Sequence, residues 1–186
     1  MGEFKVLKSR KVIRLQHFDY SKDGAYFITI CADKHKCIFG KFINVCRDAP
    51  CGCPQMKLSK LGTIAQQKIN EIEDRYGVKV TKYIIMPNHI HLIIKIDKFL
   101  ENMDISLGHP QGASLQQIVG AYKSLVSVEW LKFCKANDMH TNKIWQRSFY
   151  EYVIRDEKSY LQIYKYIDEN PSKWQDDEYF IGDEND

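Results

Sequence analysis

The stretch YIIMPNHIHLIIKI, residues 83–96, is a nearly unbroken run of β-forming residues broken only at Pro87–Asn88, and its second half sets His89 and His91 on either side of Ile90. Side chains alternate between the two faces of a strand, so residues two apart are neighbours on one face. The two imidazoles therefore form a pair, with Ile90 turned the other way. Pro87 cannot donate a ladder hydrogen bond, which puts it at a turn or bulge between two strands. The pair has two readings. Either it is two solvated side chains on a half-exposed strand, or it is two neutral nitrogen ligands for one divalent metal.

Upstream of this stretch, AYFITICA (25–32) and KCIFGKFINV (36–45) read as two β runs joined by the polar DKH, a predicted hairpin. Leu61, Ile64, Ala65, Ile69, Ile72 and Tyr76 recur at helical spacing, and Gly77 is placed to end that helix. Two further β runs, VKVTKYIIM and HIHLIIKI, flank Pro87–Asn88. Residues 99–113 read as a loop leading into a second helix from Ser114, whose Leu115, Ile118, Val119, Tyr122, Leu125 and Val126 form one apolar stripe. A last helix is predicted from Asp156 to ENP, because the residue before a proline is pushed out of helical geometry. Strands and helices thus alternate as β-β-α-β-β-α-α. This predicts an α+β, ferredoxin-like (RRM-like) fold, an antiparallel sheet with helices packed mainly on one face.

The chain has 186 residues, 44% of them hydrophobic, enough for one domain with its own core. No uninterrupted apolar window of about 18 residues occurs and the N-terminal stretch is charged throughout, so the expectation is a cytoplasmic protein with no membrane partner. Six cysteines in such a chain are expected to stay reduced, and the CGC at 51–53, without a second pair, is a weak zinc motif. The net charge of +3 conceals an asymmetry. The last twelve residues, QDDEYFIGDEND, hold six acids and no Lys or Arg, so the other 174 residues carry 27 basic against 18 acidic side chains, a net +9. The chain divides on this basis into a domain over 1–174 with a basic N-terminal arm (Lys5, Lys8, Arg10, Lys11, Arg14) and an acidic tail over 175–186. A basic body suits phosphates, and equally a solvated surface.

On the last helix, Tyr166 and Asn170 are four apart and share a face, while Tyr160, Tyr164 and Ile167 mark the predicted apolar stripe, with Tyr164 read as core. Periodicity alone leaves Tyr166 a packing residue.

YIIMPNHIHLII resembles the hydrophobic-His-hydrophobic-His strand of single-tyrosine HUH transposases, which act on single-stranded DNA. In order along the chain, RLQHFDYSKDGAYFITICADKHKCIFG, MPNHIHLI and IWQRSFYEYVIRDEKSYLQIYKYIDENPSKW resemble the REP-associated tyrosine transposases, over about residues 12–174. The Cys-rich loop at 46–53 and the acidic tail lie outside the resemblance. It implies that residues 1–174 form an HUH-type catalytic domain, that His89 and His91 bind a metal, Mg²⁺ or Mn²⁺, that Asn170 takes the polar position of a third ligand, and that Tyr166 is the nucleophile. The implied reaction cleaves single-stranded DNA near a hairpin, leaves a 5′-phosphotyrosine and a free 3′-OH, and reverses for strand transfer. A tyrosine hydroxyl ionises near pH ~10 and attacks poorly at neutral pH, so the chemistry needs a cation at the phosphate.

Relatives bind a DNA hairpin and flanking bases, which nominates Lys123, Trp145, Arg147 and Tyr150 as DNA contacts beside Arg10 and Arg14 of the arm. Packing for Trp145 and Tyr150 and solvation for Lys123 and Arg147 is the competing reading. The resemblance suits a nucleoid-associated protein acting as a monomer or a homodimer. Two other functions stay open: a domesticated hairpin-binding protein that has lost cleavage, and a ferredoxin-like RNA-binding domain, for which the strands around Tyr83 offer few stacking aromatics.

Overall fold

The computed structural model describes residues 23–43, 54–97 and 113–181. The basic arm with Arg10 and Arg14, the CGC loop and the loop after residue 98 lie outside the described residues. Strand β1 (Gly24–Cys31) organises the rest. It pairs antiparallel with β5 (His89–Ile96) from Gly24↔Ile96 to Cys31↔His89 along one edge, and with β6 (Tyr150–Ile154) from Ala25↔Ile154 to Thr29↔Tyr150 along the other. Strand β4 (Lys79–Ile85) adds outside β5, so the sheet runs β4-β5-β1-β6. With α1 (Lys60–Tyr76) before β4 and α2 (Leu115–Ala136) before β6, the main sheet and its helices trace β-α-β-β-α-β in the ferredoxin-like strand order.

Two strand readings need correction. The run at 36–45 does not form a hairpin with 25–32, because both edges of β1 are already taken by β5 and β6. Among the described residues of that run, Gly40–Ile43 is the strand. This β2 pairs with β3 (Gln55–Leu58) in a separate two-stranded sheet inserted ahead of α1. The polar DKH between them is a short 3₁₀ turn, with Lys34 and His35 at positive φ (55° and 54°). The second correction is β6. YEYVI turns Tyr150, Tyr152 and Ile154 to one face of the sheet and Val153 to the other, and it takes the place beside β1 that the sequence reading gave to 36–45.

The helices start where local chemistry says they should. Ser59 Oγ accepts from the Gly62 amide to open α1, and Gly77 closes it in the left-handed region (φ 59°). Ser114 and Gln117 form a reciprocal capping box on α2. Asp156 caps α3 (Glu157–Glu169), but Asn170 before Pro171 is not pushed out of helical geometry as expected: it keeps helical angles (φ −55°, ψ −43°), and the chain continues through Pro171 as a 3₁₀ turn over Asn170–Asp176.

Both faces of the sheet are covered. On one, Tyr26, Ile28, Ile30, Ile90, Leu92 and Ile94 meet α1 and α2, and the buried Tyr122 hydroxyl donates to the Ala65 carbonyl at 2.9 Å, tying the two helices together. On the other, Phe27, Ile93 and Ile154 meet Ile163 and Ile167 of α3. Tyr164 is not core, as the sequence suggested. It sits at the edge of α3 with the Lys82 ammonium 4.3 Å from its ring centroid, and Lys82 also pairs with Asp168.

Gly62, in the first turn of α1, lies against the Phe39 carbonyl, leaving no room for a Cβ. Ala ordinarily stabilises a helix over Gly by about 1 kcal/mol. Here Gly62→Ala should instead destabilise by roughly 1–3 kcal/mol through overpacking, read from denaturant midpoints at constant m-value.

Candidate active site

Strand β5 is buried on both faces, and His89 and His91 lie on the face that α3 covers, each fully buried (0% exposed). This removes the reading of two solvated imidazoles. The strand period turns both rings the same way, and their Nε2 atoms converge to 3.0 Å. Burial depresses both, His91 to about 3 and His89 well below the usual histidine range, with the neighbouring His91 and His35 adding to the effect on His89. Both are therefore neutral at physiological pH.

Their Nδ1 partners differ in kind. His91 Nδ1 meets the Thr29 hydroxyl at 2.9 Å, the cross-strand neighbour set by the β1–β5 register. A hydroxyl both donates and accepts, so His91 can carry its proton on either nitrogen. His89 Nδ1 meets Asn88 Oδ1 at 2.9 Å, an acceptor only, so His89 carries its proton on Nδ1 and turns a bare lone pair toward His91.

Helix α3 delivers Tyr166. Its hydroxyl lies 3.5 Å from His91 Nε2, its ring stands edge-on to His91 at 5.4 Å, and it meets Phe27 in a T-shaped contact at 6.0 Å. Burial, then the negative charge of Asp177, raise the pKa of this phenol above the ordinary tyrosine value, while a hydrogen bond from the Asn170 amide works the other way. Asn170 is itself buried, and its Oδ1 has no hydrogen-bond partner. A buried, unsatisfied oxygen calls for an explanation, and a ligand role is one.

Asp177 was not among the residues singled out from sequence. It follows the 3₁₀ turn, and a carboxylate oxygen lies with one ring nitrogen of each histidine in a cluster whose atoms are all within 4.8 Å of one another. Burial lifts its pKa to about 6. Aromatic residues hold its segment down: Tyr179 packs at 4.8 Å from His89 and stacks on His35 at 5.3 Å, and Trp174 meets Phe180 at 5.3 Å. The signal was present in DDEYF, since a purely solvated acidic tail has no use for Tyr179 and Phe180. Of the residues read as an acidic tail, Asp177, Tyr179 and Phe180 are half-buried against the fold, while Gln175, Asp176, Glu178 and Ile181 are exposed.

The nominated DNA contacts separate. Trp145 is buried in the core against Phe39 and Tyr122, with its Nε1 donating to Lys123 O and Ser127 Oγ, the arrangement of the competing packing reading. Lys123 is likewise used inside the fold. Its ammonium donates to the carbonyls of Gln146 and Ser148 at 2.8 and 3.1 Å, and burial lowers its pKa to about 8. Arg147 is exposed, and Tyr150 is half-buried on the α3 face of the sheet.

Residues 56–170 match the sequence pattern of the family described as Transposase IS200 like. An uncharacterised protein of Haemophilus influenzae is 36% identical over 182 residues, spanning 92% of this chain and 93% of its own. A second protein of that organism, named as a REP-associated tyrosine transposase, is 26% identical over 157 residues, covering 83% of this chain and 74% of its own. Among solved structures, a REP-associated tyrosine transposase bound to a REP hairpin superposes with a TM-score of 0.51 at 19% identity, over 83% of this chain and 70% of that one.

The depressed imidazoles have a measurable consequence. In metal-free protein they stay neutral when folded but protonate below pH 6.5 once unfolded, so stability falls as pH drops through 6.5, by up to about 1.4 kcal/mol per pH unit for each ring. Asp177, raised to about 6, acts in the opposite sense over the same range and offsets part of the loss. Urea unfolding between pH 7 and 5 should show a net decline that steepens in Asp177→Asn. A flat profile in both proteins would contradict neutral burial of the pair.

Proposed function

The chain belongs to the IS200-like transposase family, and from that premise we propose that it is a metal-dependent single-strand DNA endonuclease and strand transferase with Tyr166 as its nucleophile. The observation that carries this reading is the 3.5 Å approach of the Tyr166 hydroxyl to His91 Nε2 within one chain. Helix α3 brings the tyrosine to the histidine pair of its own subunit, which supports action as a monomer.

The residues present fit a divalent ion. Two neutral Nε2 atoms converge, His89 is held in the tautomer a ligand needs, and the oxygen donors at hand are the unsatisfied Asn170 Oδ1 and the Asp177 carboxylate. His89, His91, Asn170 and Asp177 would hold Mg²⁺ or Mn²⁺, with the imidazoles favouring manganese of the two. When bound, the cation would neutralise charge at a non-bridging oxygen of the scissile phosphate. Burial and Asp177 disfavour the Tyr166 phenolate, so a positive charge in this position also makes the phenol a better nucleophile.

In the proposed step, Tyr166 Oη attacks phosphorus, the new Tyr–O–P bond forms as the bond to the 3′ oxygen breaks, and the phenolic proton is lost while the leaving oxygen gains one. The result is a 5′-phosphotyrosine and a 3′-OH. The ester retains the bond energy, so a second 3′-OH reverses the step without ATP. The hairpin substrate is carried over from the solved relative bound to a REP hairpin, and the net +9 of residues 1–174 is consistent with a DNA partner. Exposed Arg147 is retained as a phosphate contact, together with Arg10 and Arg14 of the arm, and chromosomal DNA in the cytoplasm is the proposed place of action. An RNA-binding sheet is disfavoured because α3 covers the face on which bases would stack.

Single-stranded hairpin DNA from repeats flanking the gene, labelled at either end and incubated with Mn²⁺, should yield a covalent protein–DNA band carrying the 5′ phosphate. Tyr166→Phe should cut its formation by roughly 10³-fold or more while hairpin affinity survives. Hairpin binding by wild-type protein with no covalent product in Mn²⁺ or Mg²⁺ would reduce the function to a hairpin-binding one.

A further inference from the structure

Asn88 occupies the turn between β4 and β5, is fully buried, and uses its whole amide. Nδ2 donates to the His35 carbonyl at 3.0 Å and to the Tyr179 carbonyl at 2.7 Å. With both amide protons committed to carbonyl oxygens, the atom facing His89 Nδ1 at 2.9 Å must be the acceptor Oδ1. Tyr179 in turn donates its backbone N–H to Asp177 Oδ1 at 2.7 Å. A continuous chain of hydrogen bonds therefore runs from His89 through Asn88 and Tyr179 to Asp177, joining two members of the His89–His91–Asp177 cluster that are 88 positions apart in sequence.

We propose that Asn88 is the positioning residue of this centre: one amide sets the His89 tautomer and seats the C-terminal segment that carries Asp177. The residue type follows from the demand for one acceptor and two donors at a single buried point. Aspartate supplies the acceptor without the donors, and alanine supplies neither. Docking of residues 177–180 and metal affinity are accordingly coupled, because loosening Tyr179 moves Asp177 away from the histidines. The proposal rests on the reading of the pair as a metal site for its affinity arm, and on hydrogen-bond geometry alone for its tautomer arm.

The test uses the full chain and Mn²⁺ as the probe. In metal-free wild type, ¹⁵N spectra of the histidine rings should place the His89 proton on Nδ1. Asn88→Ala should weaken Mn²⁺ binding, followed by electron paramagnetic resonance of the free ion, by about 10–100-fold, the range seen when partners of metal-bound histidines are removed. Asn88→Asp should keep the Nδ1–H tautomer yet show faster hydrogen exchange across 177–180. A His89 proton on Nε2 in the wild type would overturn the proposal, even if Asn88→Ala fails to fold. Wild-type Mn²⁺ affinity in a folded Asn88→Ala protein, or unchanged exchange in Asn88→Asp, would overturn it as well. Failure of the wild type to bind Mn²⁺ would instead count against the functional reading, leaving tautomer and exchange to decide the role of Asn88.

Discussion

Two imidazoles on one face of a fully buried strand are the constraint around which the site is arranged. Burial strips them of solvent and makes the protonated forms costly, so each ring must be neutral and each nitrogen must find a partner inside the protein. The outward nitrogens are satisfied by Thr29 and Asn88. The inward pair face each other at 3.0 Å, where one lone pair is unavoidable. Such a point is suited to a positive ligand, and the groups gathered around it, an unsatisfied amide oxygen, a carboxylate and a phenol, are all oxygens.

The sheet and α3 play complementary parts. The antiparallel register between β1 and β5 sets Thr29 opposite His91, and a slip of one residue would turn every side chain of β5 to the other face. Helix α3 is pinned by Ile163 and Ile167 on Phe27, Ile93 and Ile154, an apolar contact that excludes water. Tyr166 lies beside this stripe and so reaches the polar point at its edge. Apolar packing thus places the tyrosine.

The local signals of helix initiation and the strand period were legible because they act over a few residues. Ser59, Ser114 and Asp156 cap with amides three positions on, Gly77 supplies its own left-handed turn, and the alternation in HIHLIIKI decides which side chains share a face. The stripe on α3 was misjudged at Tyr164, since a tyrosine can serve equally as core or as a rim partner for Lys82, and periodicity does not separate the two. Lys123 and Trp145 have the composition of a nucleic-acid contact, but they fasten residues 145–148 to α2.

From the chain alone followed the α+β class, the pairing of His89 with His91, and the shared helix face of Tyr166 and Asn170. Tertiary structure alone settled the strands that flank β1, the complete burial of the imidazoles, the meeting of Tyr166 with His91 and the return of Asp177 and Tyr179 to Asn88 and His89. The reason is separation along the chain. The contacts of Thr29 with His91, Tyr166 with His91 and Asn88 with Tyr179 span 62, 75 and 91 residues. No local period or cap encodes them; they exist only once the sheet has closed and both of its faces are covered.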